Sequence, residues 1–245
     1  MSDQLEGRNP VIECLARRRR KVRRIWLDRG AKVDARVRRI LDLAKERGIS
    51  VERVERRKLD EWAEGRVHNG VIARADPLPA LTTLQLLDAV FAAGRAPFVV
   101  LADQVQYEHN LGAILRSALG FGVDGLILPT RRGAPLSPVV QRVAMGAAEE
   151  VPVVREGLFA SIKQLRKAGV PIVGADMAGE PLGRVDLTGA RALVLGGEGR
   201  GLSSTLRDHC DQLVSIPLRG DLESLNVSVA AAVLLYEKRR QDGWI

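Results

Sequence analysis

From Pro97 onward the apolar positions come in short unbroken runs. APFVVLAD, DGLILP, VPVV, VPIVGAD, ALVLGG and QLVSIP are each β-rich, and helical stretches such as LGAILRSALGFG and LFASIKQLRKAG fall between most of them. Strands that are apolar on both faces and alternate with helices predict a parallel sheet covered on both sides. Ligands of such sheets sit beyond the carboxyl ends of the strands. The first third reads as a smaller α/β unit. NPVIECLARR fits a short helix, RRIWLD a strand, VDARVRRILDLAKERG a helix ended by Gly48, and SVERV a second strand. RKLDEWAEG predicts another short helix and HNGVIARA a returning strand. ADPLPALTTLQLLDAVFAAGRAP then places three prolines around one helical piece, which suits a connection. The pattern therefore divides the chain into a small α/β domain at 1–75, a linker at 76–95 and a larger α/β domain at 96–245.

Composition adds limits. At 245 residues, 46% hydrophobic and 28% charged, the chain can bury a substantial core. No run approaches the ~20 apolar residues of a membrane span, and MSDQLEGRNP lacks the order of a secretion signal, so the cytoplasm is expected and no membrane partner is. Cys14 and Cys210 are far apart and near no pair of histidines, which predicts two free thiols and no metal site.

The charge is unevenly spread. Residues 1–80 carry 21 Lys and Arg against 13 Asp and Glu, whereas the remainder carries 17 of each. RRRRKVRR concentrates the excess and points to contact with a polyanion, with Arg17, Arg18, Arg19, Arg20, Lys21, Arg23 and Arg24 as the candidates. A solubilising helix end is the alternative, and charge alone does not separate RNA from DNA or a membrane surface.

Three loops in the larger domain carry unusual residues. In QVQYEHNLGAILRSALGFG, Asn110 opens a helix and Arg116 follows six residues later among apolar neighbours, about 9 Å along the axis. In LVLGGEGRGLS a strand empties into glycines at 196, 197, 199 and 201 that enclose Glu198, and glycine lets backbone approach a ligand closely. In IPLRGDLESLNVS, Ser224 and Asn226 precede an apolar helix, where either suits a cap. GGEGRG is neither a dinucleotide fingerprint nor a phosphate-binding P-loop, and no GxSxG accompanies the three histidines, so nucleotide hydrolysis and Ser/His/Asp chemistry are disfavoured.

The three loops, in this order and separation, resemble the three signature motifs of the SpoU (TrmH) family of RNA ribose 2'-O-methyltransferases. The stretches concerned are HNLGAILRSALGFGVDGLILP, LVLGGEGRGLS and SIPLRGDLESLNVSVAAAVLLYE. The N-terminal part, with EGRNPVIECL and HNGVIARA, resembles the ribosomal-protein-like α/β substrate-binding domain of the RlmB-like branch, which methylates a guanosine ribose in 23S ribosomal RNA. The resemblance implies a C-terminal SPOUT-type α/β domain tied in a trefoil knot, S-adenosylmethionine as co-substrate without a metal, and a homodimer with sites completed across its interface. It implies cofactor contacts at Leu195, Gly196, Gly197, Ile216, Leu218 and Leu225, with the loop after Val173 nearby. Asn110, Arg116, Glu198, Ser224 and Asn226 become the catalytic candidates. Arg116 suits a grip on phosphate better than a general base, because a guanidinium stays protonated. Where the family has an aspartate and a proline before the asparagine, this chain has Tyr107-Glu108-His109. Transfer RNA or another ribosomal site, including a self-protection site in an antibiotic producer, is the alternative target. A non-enzymatic RNA-binding module is the alternative class.

Overall fold

The structure is a computed structural model that describes residues 3–198, 201–220, 222 and 224–244. Gly199 and Arg200 of the glycine loop, and Asp221 and Glu223 before the last helix, lie outside the described residues. The chain forms two compact units, Met1–Pro79 with Pro135–Glu150, and Ala80–Ala134 with Val151–Ile245.

In chain order the first unit contains β1 (Asp3–Glu6), α1 (Arg8–Arg17), β2 (Val22–Asp28), α2 (Ala35–Glu46), β3 (Val51–Val54), α3 (Arg56–Trp62) and β4 (Val71–Ala75). Its sheet has the order β1-β4-β2-β3; β4 runs antiparallel to β1 and β2, and β2 runs parallel to β3. One core joins Leu5, Val11, Leu15, Ile25 and Leu27 to Val37, Ile40 and Leu43. The last three recur every third residue, which is the stripe a helix needs to bury one face. α2 starts where Asp34 accepts a bond from the Val37 N–H at 3.0 Å and stops before Gly48, at φ 62°. A smaller cluster of Val54, Leu59, Ala63 and Ile72 packs with Trp26. The strand β1 lacks a period of its own; it exists because Asp3 to Glu6 pair with Ile72 to Ala75.

The chain continues through α4 (Thr83–Ala92), β5 (Phe98–Ala102), α5 (Glu108–Gly120) and β6 (Gly125–Leu128) of the second unit. The segment Pro135–Glu150, carrying α6 (Pro138–Val143), belongs to the first unit. The second unit then resumes with β7 (Val153–Arg155), α7 (Leu158–Lys167), β8 (Ile172–Pro181), β9 (Arg191–Leu195), α8 (Ser204–Asp208), β10 (Gln212–Ser215) and α9 (Val227–Gln241). Its sheet is the expected parallel one, with six strands in the order β10-β8-β9-β5-β6-β7. Every residue of β5 and β6 is buried, which accounts for their unbroken apolar reading. On one face Val99, Leu101, Ile127 and Val194 meet Leu86, Leu87 and Val90 of α4 and Ile162 and Leu165 of α7. The helical piece of the proline-rich stretch is thus part of this core. On the other face Phe98 lies 5.3 Å from the Lys238 ammonium of α9.

Strand order reverses between β5 and β9: β6 and β7 lie to one side of the pair, and β8 and β10 to the other. Connections leaving the carboxyl ends of β5 and β9 therefore diverge, which opens a crevice at that edge.

Candidate active site

The crevice is a cavity of about 1000 Å³, at the upper end of the usual size for small-molecule sites, ~300–1,000 Å³. Its walls come from the ends of four strands. Leu195 ends β9 and Gly196 and Gly197 follow it, Ala175, Asp176 and Met177 belong to β8, Ile216 and Leu218 follow β10, and Tyr107, His109 and Asn110 follow β5. Ser224, Leu225 and Asn226, ahead of α9, complete it. All six residues expected to hold a cofactor line this one cavity, as do Asn110, Glu198, Ser224 and Asn226.

Gly196 is required by the fold of the loop. A Cβ there would lie 2.1 Å from the Gly201 carbonyl carbon and 2.4 Å from the Leu202 nitrogen, because Gly197 and Gly201 exchange backbone hydrogen bonds of 3.1 and 3.2 Å. The loop therefore meets the cavity through the main chain of Gly196, Gly197 and Gly201 and through the side chain of Glu198.

The polar residues form one chain of fixed direction. Asn110 Nδ2 donates to Glu198 Oε1 at 2.6 Å, Asn226 Nδ2 donates to Asn110 Oδ1 at 3.1 Å, and Asn226 Oδ1 accepts from the Ser228 N–H at 2.9 Å and hydroxyl at 2.7 Å. A carboxylate only accepts, and a helix N-terminus only donates through its free N–H groups. With an acceptor at one end and donors at the other, both amides can face only one way. Glu198 also accepts from the Tyr107 N–H, at 3.3 Å, so this carboxylate holds the start of α5. Asn226 caps α9 and reaches Asn110 with the same side chain.

Arg116 is not brought to the cavity. It stands exposed on α5 and has no hydrogen-bond or ion-pair partner among the described residues. The physical reason is helical period: six residues separate it from Asn110, which turns the two about 120° apart around the axis. The expected 9 Å of rise is correct, but the two side chains leave different faces.

An ion pair in the wall has no counterpart among the expected residues. Arg207 Nε lies 2.7 Å from Asp176 Oδ2, whose side chain is only 4% exposed. The available signal was a carboxylate following the apolar run Ile172–Gly174 of a parallel strand. Beside the site, burial pushes the Asp103 carboxyl above its ordinary range, with Gln104 and Arg132 opposing the shift.

The basic run of the first unit is largely compensated. Arg20 is a correction to the expected RNA contacts: its side chain is 1% exposed and is bonded to Asp3, Glu149 and Gln141. Burial is the largest single influence and would lower its pKa, but the hydrogen bond and charge of Glu149, together with Cys14 and Asp3, outweigh it and raise it. Arg17 pairs with Glu13 and Glu150, Arg23 with Asp76 through two bonds, and Arg24 approaches Glu52 at 3.9 Å. Arg19 is half-buried, and Arg18 and Lys21 are exposed. Cys14 and Cys210 are free thiols, which burial first, then Glu149 and Asp211 respectively, push up to about 12 and about 11. Among the described residues there is no group of His, Cys, Asp or Glu disposed to hold a metal, and no helix long and apolar enough to cross a membrane.

Comparison with known proteins agrees with this geometry. The family model for the SpoU rRNA Methylase family matches residues 97–236, and that for RNA 2'-O ribose methyltransferase substrate binding matches residues 4–81. The 23S rRNA (guanosine-2'-O-)-methyltransferase RlmB of Pseudomonas putida is 38% identical, over 98% of this chain and 96% of its own. The RlmB of Haemophilus ducreyi is 40% identical, over 98% of each. The crystal structure of the SpoU methyltransferase AviRb from Streptomyces viridochromogenes with AdoMet aligns at a TM-score of 0.79 and 29% identity, over 98% of this chain and 90% of that one. The backbone-walled cavity, the three loops that build it and the match over most of the chain together establish that this protein belongs to the SpoU rRNA methylase family.

Proposed function

We propose that this chain transfers a methyl group from S-adenosylmethionine to the 2'-hydroxyl of a guanosine ribose in 23S ribosomal RNA. The observation that carries this reading is the near-full-length likeness to relatives named RlmB, at 38% and 40% identity. The cavity at the β5 and β9 edge receives the co-substrate, with Leu195, Gly196, Gly197, Ile216, Leu218 and Leu225 around its adenosyl part. When bound, that molecule supplies an electrophilic methyl group on a sulfonium. The chain's own residues then place the ribose oxygen in line with it, and positioning rather than acid or base strength provides most of the acceleration. Asn226 and Asn110 fix the ribose edge through the directed amide chain, Glu198 holds Asn110, and Ser224 lines the approach. Arg116 grips the target phosphate with two N–H groups and stabilises the developing alkoxide. Its exposed position on α5 fits delivery to the cavity of a second protomer in a homodimer. The C-terminal stretch forms the trefoil knot of the SPOUT class, and the protein works in the cytoplasm. In functional terms residues 1–75 recruit RNA, 76–95 connect, and 96–245 carry the transfer.

Purified protein, S-adenosylmethionine carrying a labelled methyl group, and separate transcripts of 23S ribosomal RNA and transfer RNA test this reading. The expected product is one ribose-methylated guanosine in the 23S transcript. Label in transfer RNA alone would move the target, and calorimetry without heat from S-adenosylmethionine would remove the enzymatic reading.

A further inference from the structure

A second cavity, of about 480 Å³, lies wholly within the first unit. Arg8, Arg36, Arg56 and Arg142 line it, with Asp28 as the single acidic member among the described residues. These four arginines are scattered over more than half of the sequence, and the helices α1, α2, α3 and α6 deliver one each. We propose that this cavity binds a phosphodiester group of the RNA substrate, an inference that rests on the RNA methylation proposed above.

The pairing of the arginines supports an anion. Arg36 is exposed and has no hydrogen-bond or ion-pair partner among the described residues. Arg142 donates to the Val67 carbonyl at 2.8 Å and meets no carboxylate. Arg56 comes no nearer than 3.7 Å to Asp28, whose other oxygen accepts from the Gly30 N–H at 2.9 Å. Arg8 alone is well paired, with Asp34 and with the Asn69 carbonyl. The cavity therefore keeps an excess of guanidinium groups, whose planar forks match pairs of phosphate oxygens.

Their placement breaks a local rule. Arg8 and Arg56 are the first residues of α1 and α3, and Arg36 is the second residue of α2. Cations at helix starts oppose the macrodipole, so the isolated helices gain nothing from them. None of these helices has an acidic residue in its first turn, and only the start of α2 has a carboxylate cap, Asp34. α1 also begins at Gly7, whose φ of 104° few other residues tolerate, and no side chain caps it. A bound anion would complement the helix start and the arginines together. The run Arg17–Arg24 differs, since four of its arginines already face carboxylates of the same unit.

The test uses the full chain and a 23S ribosomal RNA transcript, titrated over a range of salt concentrations. The double variant Arg36→Gln with Arg56→Gln is chosen because neither side chain makes a close bond that holds the fold. It is expected to weaken RNA binding by about tenfold or more and to lower the slope of log affinity against log salt by roughly 0.7–0.9 per lost contact. Its melting temperature and its affinity for S-adenosylmethionine should match wild type. Arg18→Gln with Lys21→Gln, also exposed, should change affinity less. Unchanged RNA affinity and salt slope in the folded Arg36, Arg56 variant overturn the site while leaving the enzymatic reading intact. A wild type that binds the transcript through these arginines but transfers no methyl group removes the enzyme and keeps the site. Loss of stabilisation by inorganic phosphate with RNA binding unchanged assigns the cavity to a free anion and overturns the RNA assignment.

Discussion

The cavity at the carboxyl ends of the strands of the second unit is walled by glycine main chain, aliphatic side chains, directed amides and charges that are already partnered, Glu198 with Asn110 and Asp176 with Arg207, whereas the cavity of the first unit is lined by an excess of arginines from four helices. The first kind of wall suits recognition by shape, since glycine main chain and leucines leave a surface defined by packing. The second recognises charge, and its geometry can be looser because a guanidinium reaches a phosphate by several routes. A methyl transfer needs both kinds, a closely fitted pocket where bonds change and a tolerant electrostatic hold on a long polyanion. The difference also sets how each should fail. A single methyl group in the wrong place ruins a shape-selective wall, while a charged wall loses strength in increments.

The largest expected effect lies among the cations themselves. Arg20→Ala leaves Glu149, whose side chain is 2% exposed, buried without its arginine, and should cost ~3–5 kcal/mol of stability in urea unfolding. Affinity of the remaining folded protein for the 23S transcript should stay as in wild type, which distinguishes structural arginines from those of the second cavity. Gly196→Ala is the corresponding insult to the shape-selective wall. Main chain 2.1 Å from the new methyl group must shift, so a loss of ~1–3 kcal/mol is expected. Calorimetry should report S-adenosylmethionine affinity at least about tenfold weaker, while RNA affinity persists.

Asn226→Asp tests the amide chain more finely. Asp caps a helix about as well as Asn, so melting should move by less than ~1 kcal/mol. A carboxylate cannot donate to Asn110, and if Asn110 turns to donate instead it abandons Glu198. Single-turnover methylation should therefore fall by a factor of about ten or more, equivalent to ~1.4 kcal/mol at the transition state. Unchanged turnover would return Asn226 to capping alone.

The smallest effect concerns Asp103, at the end of β5. Because burial raises its pKa in the folded protein, the fold binds that proton more tightly than the unfolded chain does. Stability is then greatest below the ordinary value of 3.8 and declines as pH rises through the folded value. Asp103→Asn should melt above wild type at pH ~8, and the gap should close as pH falls toward the ordinary carboxylate range.

The parallel sheet was legible because β5 and β6 have no exposed residue and announce themselves as unbroken apolar runs. α6 and α8 were not, with six and five residues and caps at Ser137 and Ser203 that also suit turns. Asn110, Glu198 and Asn226 came from motifs whose spacing survives folding as a shared cavity. Asp176 and Arg207 escaped notice because they lie on separate elements, β8 and α8, and meet only when the chain folds. Arg116 was legible as an unusual residue, but its direction follows from a helical angle rather than from its neighbours.

By itself the sequence determined where the longer helices and the apolar strands lie, which strands are buried on both faces, and where glycine allows a turn to close. Each of these depends on residues a few positions apart, where period and backbone sterics act. Only the tertiary structure decided which cations remain free. Arg20, in the densest basic run, is neutralised by Glu149, whereas Arg36 stands with Arg8, Arg56 and Arg142 around one cavity. Charge acts through space and falls off with distance rather than with separation along the chain, so a count of local charge cannot tell a buried ion pair from a surface that awaits a ligand.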